Sequence, residues 1–149
     1  MAYDAENKIE ETVILIGVQQ EDSLRTEESL EELGELARTA GAKVCAGVIQ
    51  KRESVHPGTY IGKGKIEEVR ELLQILDANG VICDDELSPA QMKNLQEELE
   101  CKVMDRTLLI LDIFAGRART REGKIQVELA QLKYRSARLA GLGTSLSRL

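Results

Sequence analysis

The sequence predicts a small α/β protein: a mostly parallel four-stranded sheet flanked by helices and followed by an antiparallel two-helix hairpin of the coiled-coil type. Three observations support this fold class. Over the first hundred residues, short apolar runs alternate with segments of helical period, which indicates parallel strands joined by helical crossovers. Beyond position 105 no strand pattern occurs. Apolar residues recur there at alternating spacings of three and four, as in two helices that pack along a seam.

The strands are predicted at four short apolar runs. The first, Val13–Val18, is rich in β-branched residues, as expected for a strand that is covered on both faces. The other three runs are 44–49, 81–83 and 102–104. Each is followed by a segment of helical period, which places helices on the sheet.

Three helices are predicted in the same part of the chain. The spacing of leucine, valine and alanine indicates helices over 23–40, over 66–76 and from Ser88 onwards. Ser88 and Gln91 have the pattern of a capping box, and Pro89 suits the first helical position.

The hairpin is predicted from Asp105 onwards, with Asp105 or Thr107 as the cap of its first helix. Its second helix is expected from about 124 to 140, and Gly116 and Gly123 would permit a tight reversal between the helices. The predicted seams consist of Leu108, Leu111, Ala115 and Ala118 on the first helix and Ile125, Leu129, Leu132, Ser136 and Leu139 on the second.

The chain is therefore divided into an α/β part, 1–105, and a helical hairpin, 106–149, with 1–11 expected to be a flexible tail. The composition excludes a disordered or fibrous protein. The lack of long apolar runs predicts no integral membrane segment, and the lack of a signal peptide predicts a cytoplasmic location. The three cysteines show neither metal nor redox spacing and are expected to be buried, reduced thiols.

The charge of the chain is strongly asymmetric. Residues 1–101 carry 10 Lys/Arg against 22 Asp/Glu, whereas residues 102–149 carry 10 against 4. The overall charge of −6 thus conceals a basic carboxyl-terminal part, which favours a polyanionic partner.

The first candidate site is the basic segment 117–124, at the predicted tip of the hairpin. If the segment is extended, Arg117, Arg119 and Arg121 point the same way and form an array of guanidiniums suited to phosphate oxygens. The alternative is a solvated turn whose charges only keep it soluble. Aromatic residues are scarce, so RNA binding would depend on phosphate charge and RNA shape. Lys124 at the tip and Arg135 and Arg138 farther along the second helix extend the basic surface.

The second candidate site is the glycine- and lysine-rich loop 57–65, which leads into a helix. Lys63, Gly64 and Lys65 are candidates for binding a phosphate or a nucleotide at the helix N-terminus. The loop lacks the spacing of a Walker A motif, because Gly64 rather than Ser or Thr follows Lys63. The alternative is a loop that only orders the start of the helix.

The third candidate is the acidic run 84–86 at the predicted carboxyl end of a strand, where clustered carboxylates can hold Mg²⁺. A structural role beside the start of a helix is the favoured alternative, because the helix dipole stabilises acids there. His56, the single histidine, has no partner for nucleophilic catalysis at a recognisable spacing. The sequence therefore predicts neither a catalytic residue nor a metal site.

Several segments together resemble the N-terminal domain of the HflX family of GTPases. The resemblance extends from about Thr12 to near the last residue. The segments that carry it are 60–65 (YIGKGK), 84–91 (DDELSPAQ), 105–107 (DRT), 111–115 (LDIFA), 117–124 (RARTREGK) and 126–132 (QVELAQL).

The resemblance implies that this chain is the N-terminal part of a longer protein, whose GTP- and Mg²⁺-binding GTPase domain it lacks. It implies a partner, the large ribosomal subunit and its rRNA, with the hairpin tip reaching the peptidyl-transferase region during the splitting of stalled or heat-stressed ribosomes. It adds Thr120 to the residues expected to contact rRNA. ATP binding with RNA remodelling, and restraint of the protein's own GTPase domain, remain alternative functions.

Overall fold

The computed structural model describes residues 11–20 and 25–146, with side chains as far as 137. The predicted tail, 1–11, lies outside these residues except for Glu11. The strands are β1 Thr12–Gln19, β2 Lys43–Lys51, β3 Gly80–Cys83 and β4 Lys102–Asp105. The helices are α1 Arg25–Thr39, α2 Lys63–Ile75, α3 Pro89–Leu99, α4 Arg106–Arg117 and α5 Arg121–Leu146.

The four strands form one parallel sheet in the order β2-β1-β3-β4. The central strand β1 is buried from Val13 to Val18, as its apolar run predicts. In the register of the sheet, Ile16 lies opposite Cys83, and Cys83 lies opposite Asp105. The carboxyl ends of β3 and β4 therefore lie side by side, whereas β1 continues beyond them to Gln19. The predicted fold class is confirmed.

The helices cover both faces of the sheet. Because parallel crossovers are right-handed, the strand order places α1 on one face and α2 and α3 on the other. The contacts agree: α4 packs beside α1, and α3 packs against α2. The core between these layers consists of aliphatic side chains such as Ile14, Leu33, Val69 and Leu95, which are fully buried.

Two predicted helix caps are confirmed. The amide of Gln91 donates to the hydroxyl of Ser88 at 3.1 Å, and the amide of Ser88 donates to the side-chain oxygen of Gln91 at 2.8 Å. Asp105, not Thr107, caps α4, because its carboxylate accepts from the amide of Leu108 at 3.0 Å. These caps fix the first turns of the helices that follow β3 and β4.

The last two helices pack against each other, but not along both predicted seams. Leu108 of α4 is buried as expected, and the side chain of Gln131 on α5 donates to Asp112 on α4 at 2.8 Å. On α5, the half-buried residues are Gly123, Val127, Ala130, Gln131 and Tyr134. Ser136 is exposed, and the side chain of Leu139 lies outside the described ones.

The predicted seam on the second helix is wrong for its three large members. Ile125, Leu129 and Leu132 are each at least half exposed. Gly123, Val127, Ala130 and Tyr134 have the same spacing of four and three on the opposite side of the helix, so spacing alone could not identify the packed side. We call Ile125, Leu129 and Leu132 the outer stripe.

The three cysteines are free thiols, as expected, but only Cys83 is buried. Cys45 and Cys101 are half-buried. Burial raises the pKa of each thiol, and that of Cys101 reaches about 11. Across residues 11–20 and 25–146, no helix is long and apolar enough to span a lipid bilayer.

Candidate nucleic-acid interface

The reversal between α4 and α5 consists of only three residues, 118–120. The hydroxyl of Thr120 accepts from the amide of Gly123 at 2.9 Å and so caps the start of α5. A β-carbon on Gly123 would lie 2.9 Å from that hydroxyl, so the glycine permits the cap rather than the reversal. Gly116 lies within α4, where a β-carbon would meet no atom within 4 Å.

The extended arrangement considered for the basic segment is therefore wrong. Arg117 is the last residue of α4 and Arg121 is the first residue of α5, so only Arg119 lies in the turn itself. The three guanidiniums are carried by a helix end, a turn and a helix start instead of one side of a strand. They remain within five consecutive residues at the tip of the helix pair.

The candidate RNA-binding side chains are all exposed where the structure describes them. Within the described part of the chain none of them forms an ion pair with an acid. These residues are Arg117, Arg119, Thr120, Arg121, Lys124 and Arg135. Arg138 lies on α5, but its side chain is outside the described ones. The positive charges of the tip are thus available to a partner.

A cluster of polar side chains lies at the root of the helix pair, where β4 passes into α4. Asp105 is fully buried at the end of β4. Its carboxylate accepts from the amide of Leu87 at 2.9 Å, from the amide of Leu108, and from the hydroxyl of Tyr134 on α5. One side chain therefore connects β4, the segment before α3, and both helices of the hairpin.

Arg106, the next residue, extends this cluster to α1 and β3. Its guanidinium donates to the carboxylate of Asp84 at 2.6 Å, to that of Glu32 at 2.9 Å and to the carbonyl of Ser29 at 2.9 Å. Burial alone would lower the pKa of Arg106, but the bonds and charges of Asp84 and Glu32 raise it above its usual value. Sequence reasoning assigned no role to Arg106 or Tyr134, because their bonding partners lie at least 22 positions away in the chain.

Bonds within the body account for the first two residues of the acidic run 84–86. Asp84 pairs with Arg106, and the carboxylate of Asp85 accepts from the hydroxyl of Tyr60 at 2.6 Å. Burial, followed by the nearby Cys83, raises the pKa of Tyr60 well above its usual value, which keeps the hydroxyl a donor. These contacts support the structural interpretation of the run, and the described residues contain no metal-binding group of three or more acids, cysteines or histidines.

The lysine-rich loop reaches the same edge of the sheet, at the end of β2. The amide of Gly62 donates to the side-chain oxygen of Gln50 at 2.8 Å, and no side chain caps α2. Lys63 is exposed, whereas Lys65 pairs with Glu68 at 2.9 Å. The first turn of α2 contains no acidic residue.

The loop before α2 is held in shape by the single histidine. The ring nitrogen Nδ1 of His56 accepts from the amides of Gly58 and Thr59 at 3.0 and 3.1 Å. His56 therefore serves a structural role in this loop. Beside it lies a groove of about 360 Å³, lined by His56, Thr59, Lys63, Ile66, Glu67, Arg70 and Glu98.

The fold and these segments agree with a known class of proteins, the GTP-binding GTPases. Residues 27–115 match the family "GTP-binding GTPase N-terminal", and residues 117–149 match "GTP-binding GTPase Middle Region". The chain thus corresponds to the N-terminal and middle regions of such proteins.

The similar proteins are more specific. The chain is 64% identical over 142 residues to the GTPase HflX of Lacrimispora saccharolytica and 46% identical over 121 residues to that of Escherichia coli, covering 95% and 81% of this chain. It belongs to the HflX family and corresponds to the N-terminal region of these proteins. It spans about a third of the length of these relatives, 34% and 28% respectively.

A solved structure shows the same fold. A GTP-binding protein from Sulfolobus solfataricus, in complex with GDP, superposes with a TM-score of 0.70 and is 30% identical. The match covers 90% of this chain and 40% of that one. The resemblance to HflX that the sequence segments carry is therefore confirmed.

Proposed function

We propose that this chain is the ribosome-binding module of an HflX-type GTPase. It attaches to the large ribosomal subunit through rRNA, and its basic tip reaches the peptidyl-transferase region. In the complete cytoplasmic protein, this attachment supports GTP-dependent separation of stalled ribosomes. The functional division of the chain into an α/β part, 1–105, and a hairpin, 106–149, belongs to the same proposal.

The observation that carries the proposal is the set of exposed cations at the tip without an acidic partner among the described residues. Exposed arginines bind phosphate oxygens through paired N–H donors, and each contact releases counterions from the nucleic acid. The opposite part of the chain is acidic, so a polyanion would be repelled there. The charge distribution thus favours approach by the tip.

The position of the cations within their helices supports the same conclusion. Arg117 ends α4, where a positive charge is favourable for the helix dipole. Arg121 and Lys124 lie at the start of α5, where the dipole favours acids and only Glu122 is acidic. Because these two cations oppose the stability of their own helix, a role toward an external anion explains them better than a role in folding.

The test is co-sedimentation of the chain with purified large ribosomal subunits between 50 and 200 mM salt. The variant combines Arg117→Ala, Arg119→Ala and Arg121→Ala. If each arginine contacts one phosphate, the slope of log affinity against log salt falls by roughly 2–3.

The matched control combines Arg38→Ala, Lys43→Ala and Lys51→Ala, three exposed cations on the α/β part. It produces the same change in net charge, so a partner that senses only net charge would be affected equally. The proposal is wrong if the tip variant and this control have the same affinity and the same salt dependence.

A second candidate function is restraint of the protein's own GTPase domain, and the outer stripe favours it. Three large aliphatic side chains on one face of α5 are exposed, and an exposed apolar face is typical of a contact surface. The relatives continue well beyond the matched region, so a further domain is available to cover the stripe. This function requires that deleting residues 1–149 from the complete protein raises its basal rate of GTP hydrolysis.

A third candidate, ATP-dependent RNA remodelling, has support in the groove beside Lys63. The uncapped start of α2 and the open space above Gly64 would admit a phosphate. Calorimetric titration with ATP and Mg²⁺ tests it, with Lys63→Ala as the variant. Binding that is absent, or that is unchanged in Lys63→Ala, contradicts a nucleotide site at this loop.

A further inference from the structure

We propose that Tyr134 and Asp105 form the joint that fixes the direction of α5, and that they thereby position the basic tip. The joint itself can be tested on this chain without a partner. Its consequence for binding rests on the proposed function of the tip.

The first support is the chemistry of Asp105. A buried carboxylate is costly unless donors satisfy its oxygens. Asp105 has three donors: the amides of Leu87 and Leu108, and the hydroxyl of Tyr134. The two amides belong to the body and to the start of α4, so the tyrosine is the donor that brings α5 to this site.

The second support is the small apolar contact of α5. Its half-buried face carries Gly123, Val127 and Ala130, which bury little surface, while the large aliphatic side chains of the outer stripe point away. Among the described side chains of α5, apolar burial is therefore small. Among the side chains described on α5, Tyr134 is the large one that packs against the core, and its hydroxyl makes a directional bond there.

Another polar contact of α5 lies closer to the tip. The amide of Gln131 donates to Asp112 of α4, so this bond joins the two helices to each other. Beyond Tyr134, Ala137 lies beside the segment 86–89, and α5 also packs against α3. Among the described side chains, the bond from Tyr134 to Asp105 joins α5 directly to the end of β4, at the edge of the sheet.

The lever from the joint to the tip is long. Thirteen residues separate Tyr134 from Arg121, which corresponds to about 20 Å of helix. Rocking α5 by roughly 15° about the joint would move the tip by about 5 Å over this length. That displacement exceeds the length of a hydrogen bond and would separate an arginine from its phosphate.

The experiment uses Tyr134→Phe, which keeps the ring and removes the hydroxyl. Residual dipolar couplings of the ¹⁵N-labelled chain compare the amides of α5 with those of the sheet. In the unmodified chain, both sets fit one alignment tensor. In Tyr134→Phe, the α5 amides are expected to lose the shared tensor and to show smaller couplings, while the sheet amides keep theirs. The sheet thus reports that the variant is folded.

The matched control is Tyr60→Phe. It also removes a tyrosine hydroxyl that donates to an aspartate. That bond joins Tyr60 to Asp85 and does not involve a residue of α5. In this variant, the couplings of the sheet and of α5 are still expected to fit one alignment tensor. The joint is refuted if Tyr134→Phe also keeps one tensor, or if Tyr60→Phe disturbs α5 equally.

Co-sedimentation with large ribosomal subunits separates the joint from the function. If the couplings of Tyr134→Phe change and the affinity falls, both the joint and its consequence for the tip are supported. If the couplings change and the affinity does not, the joint stands, but the direction of α5 does not govern binding. Whether the tip binds rRNA at all is tested only by the triple arginine variant.

Discussion

Replacing Arg106 by alanine should destabilise the fold far more than replacing another paired arginine. Arg106 is 23% exposed and Asp84 is 9% exposed, so the ion pair between them is largely removed from water. The same guanidinium donates to Glu32 and to Ser29, which joins α1 to the edge of the sheet. Removal of the arginine leaves the Asp84 carboxylate buried without a cation among its described neighbours.

The size of the effect follows from this burial. Removing one partner of a buried pair costs about 3–5 kcal/mol, and we expect about 3 because Arg106 retains some access to water. Arg70 is the matched control, since it also pairs with a glutamate of another helix, Glu98, and donates to its carbonyl. Those side chains are 40% and 53% exposed, so Arg70→Ala should cost less than about 1 kcal/mol.

Urea unfolding followed by circular dichroism measures the free energy of unfolding of both variants, and thermal unfolding measures their Tm. For a protein of this size, 3 kcal/mol corresponds to a fall in Tm of roughly 6–12 °C, against less than about 4 °C for Arg70→Ala. In an Asp84→Asn background, Arg106→Ala should cost clearly less, because no charged carboxylate is left unpaired. Equal costs for Arg106→Ala and Arg70→Ala would refute the assignment of Arg106 as the main polar connection at this edge.

Three further predictions follow from local geometry and burial. A β-carbon on Gly80 would lie 2.6 Å from the carbonyl oxygen of Lys102 on the neighbouring strand, so Gly80→Ala should destabilise the fold by about 1–3 kcal/mol. A β-carbon on Gly116 would meet no atom within 4 Å in α4, so Gly116→Ala should stabilise the fold by roughly 0.5–1 kcal/mol. In urea unfolding, a Gly80→Ala variant that is not destabilised, or a Gly116→Ala variant that is not stabilised, would contradict the respective prediction. Because burial raises the pKa of Cys101 to about 11, about 0.1% of this thiol is ionised at pH 8, against about a quarter of an ordinary one. Its alkylation in the native chain should rise about tenfold per pH unit between pH 8 and 10, whereas a rate that levels off near pH 9 would be inconsistent with this burial.

Most of the fold is predictable because its signals are local. The apolar run at 13–18 became the central strand β1, and the capping box at Ser88 and Gln91 begins α3. Each of these patterns involves residues at most a few positions apart. The strand order β2-β1-β3-β4 was not predicted, because right-handed crossovers leave several orders open for four parallel strands.

The packing of the hairpin was less predictable, because α5 has apolar residues on two opposite faces. Both the outer stripe and the set Gly123, Val127, Ala130 and Tyr134 repeat at spacings of four and three. Larger side chains favoured the outer stripe in the sequence, yet the smaller set faces α4 and the body. Small residues let the helices approach closely, and this choice depends on the tertiary structure, which a pattern within one helix cannot reveal.

The polar root of the hairpin was not predictable from the sequence for a different reason. Arg106 reaches Glu32 and Ser29 across more than 70 positions, and Tyr134 reaches Asp105 across 29. Such pairs have no fixed spacing, so only the assembled sheet brings them together. Asp105 was expected as a helix cap, a role that uses one of its two oxygens. The other oxygen connects that cap to α5 through Tyr134, so the side chain that begins the hairpin also holds the helix that carries its tip.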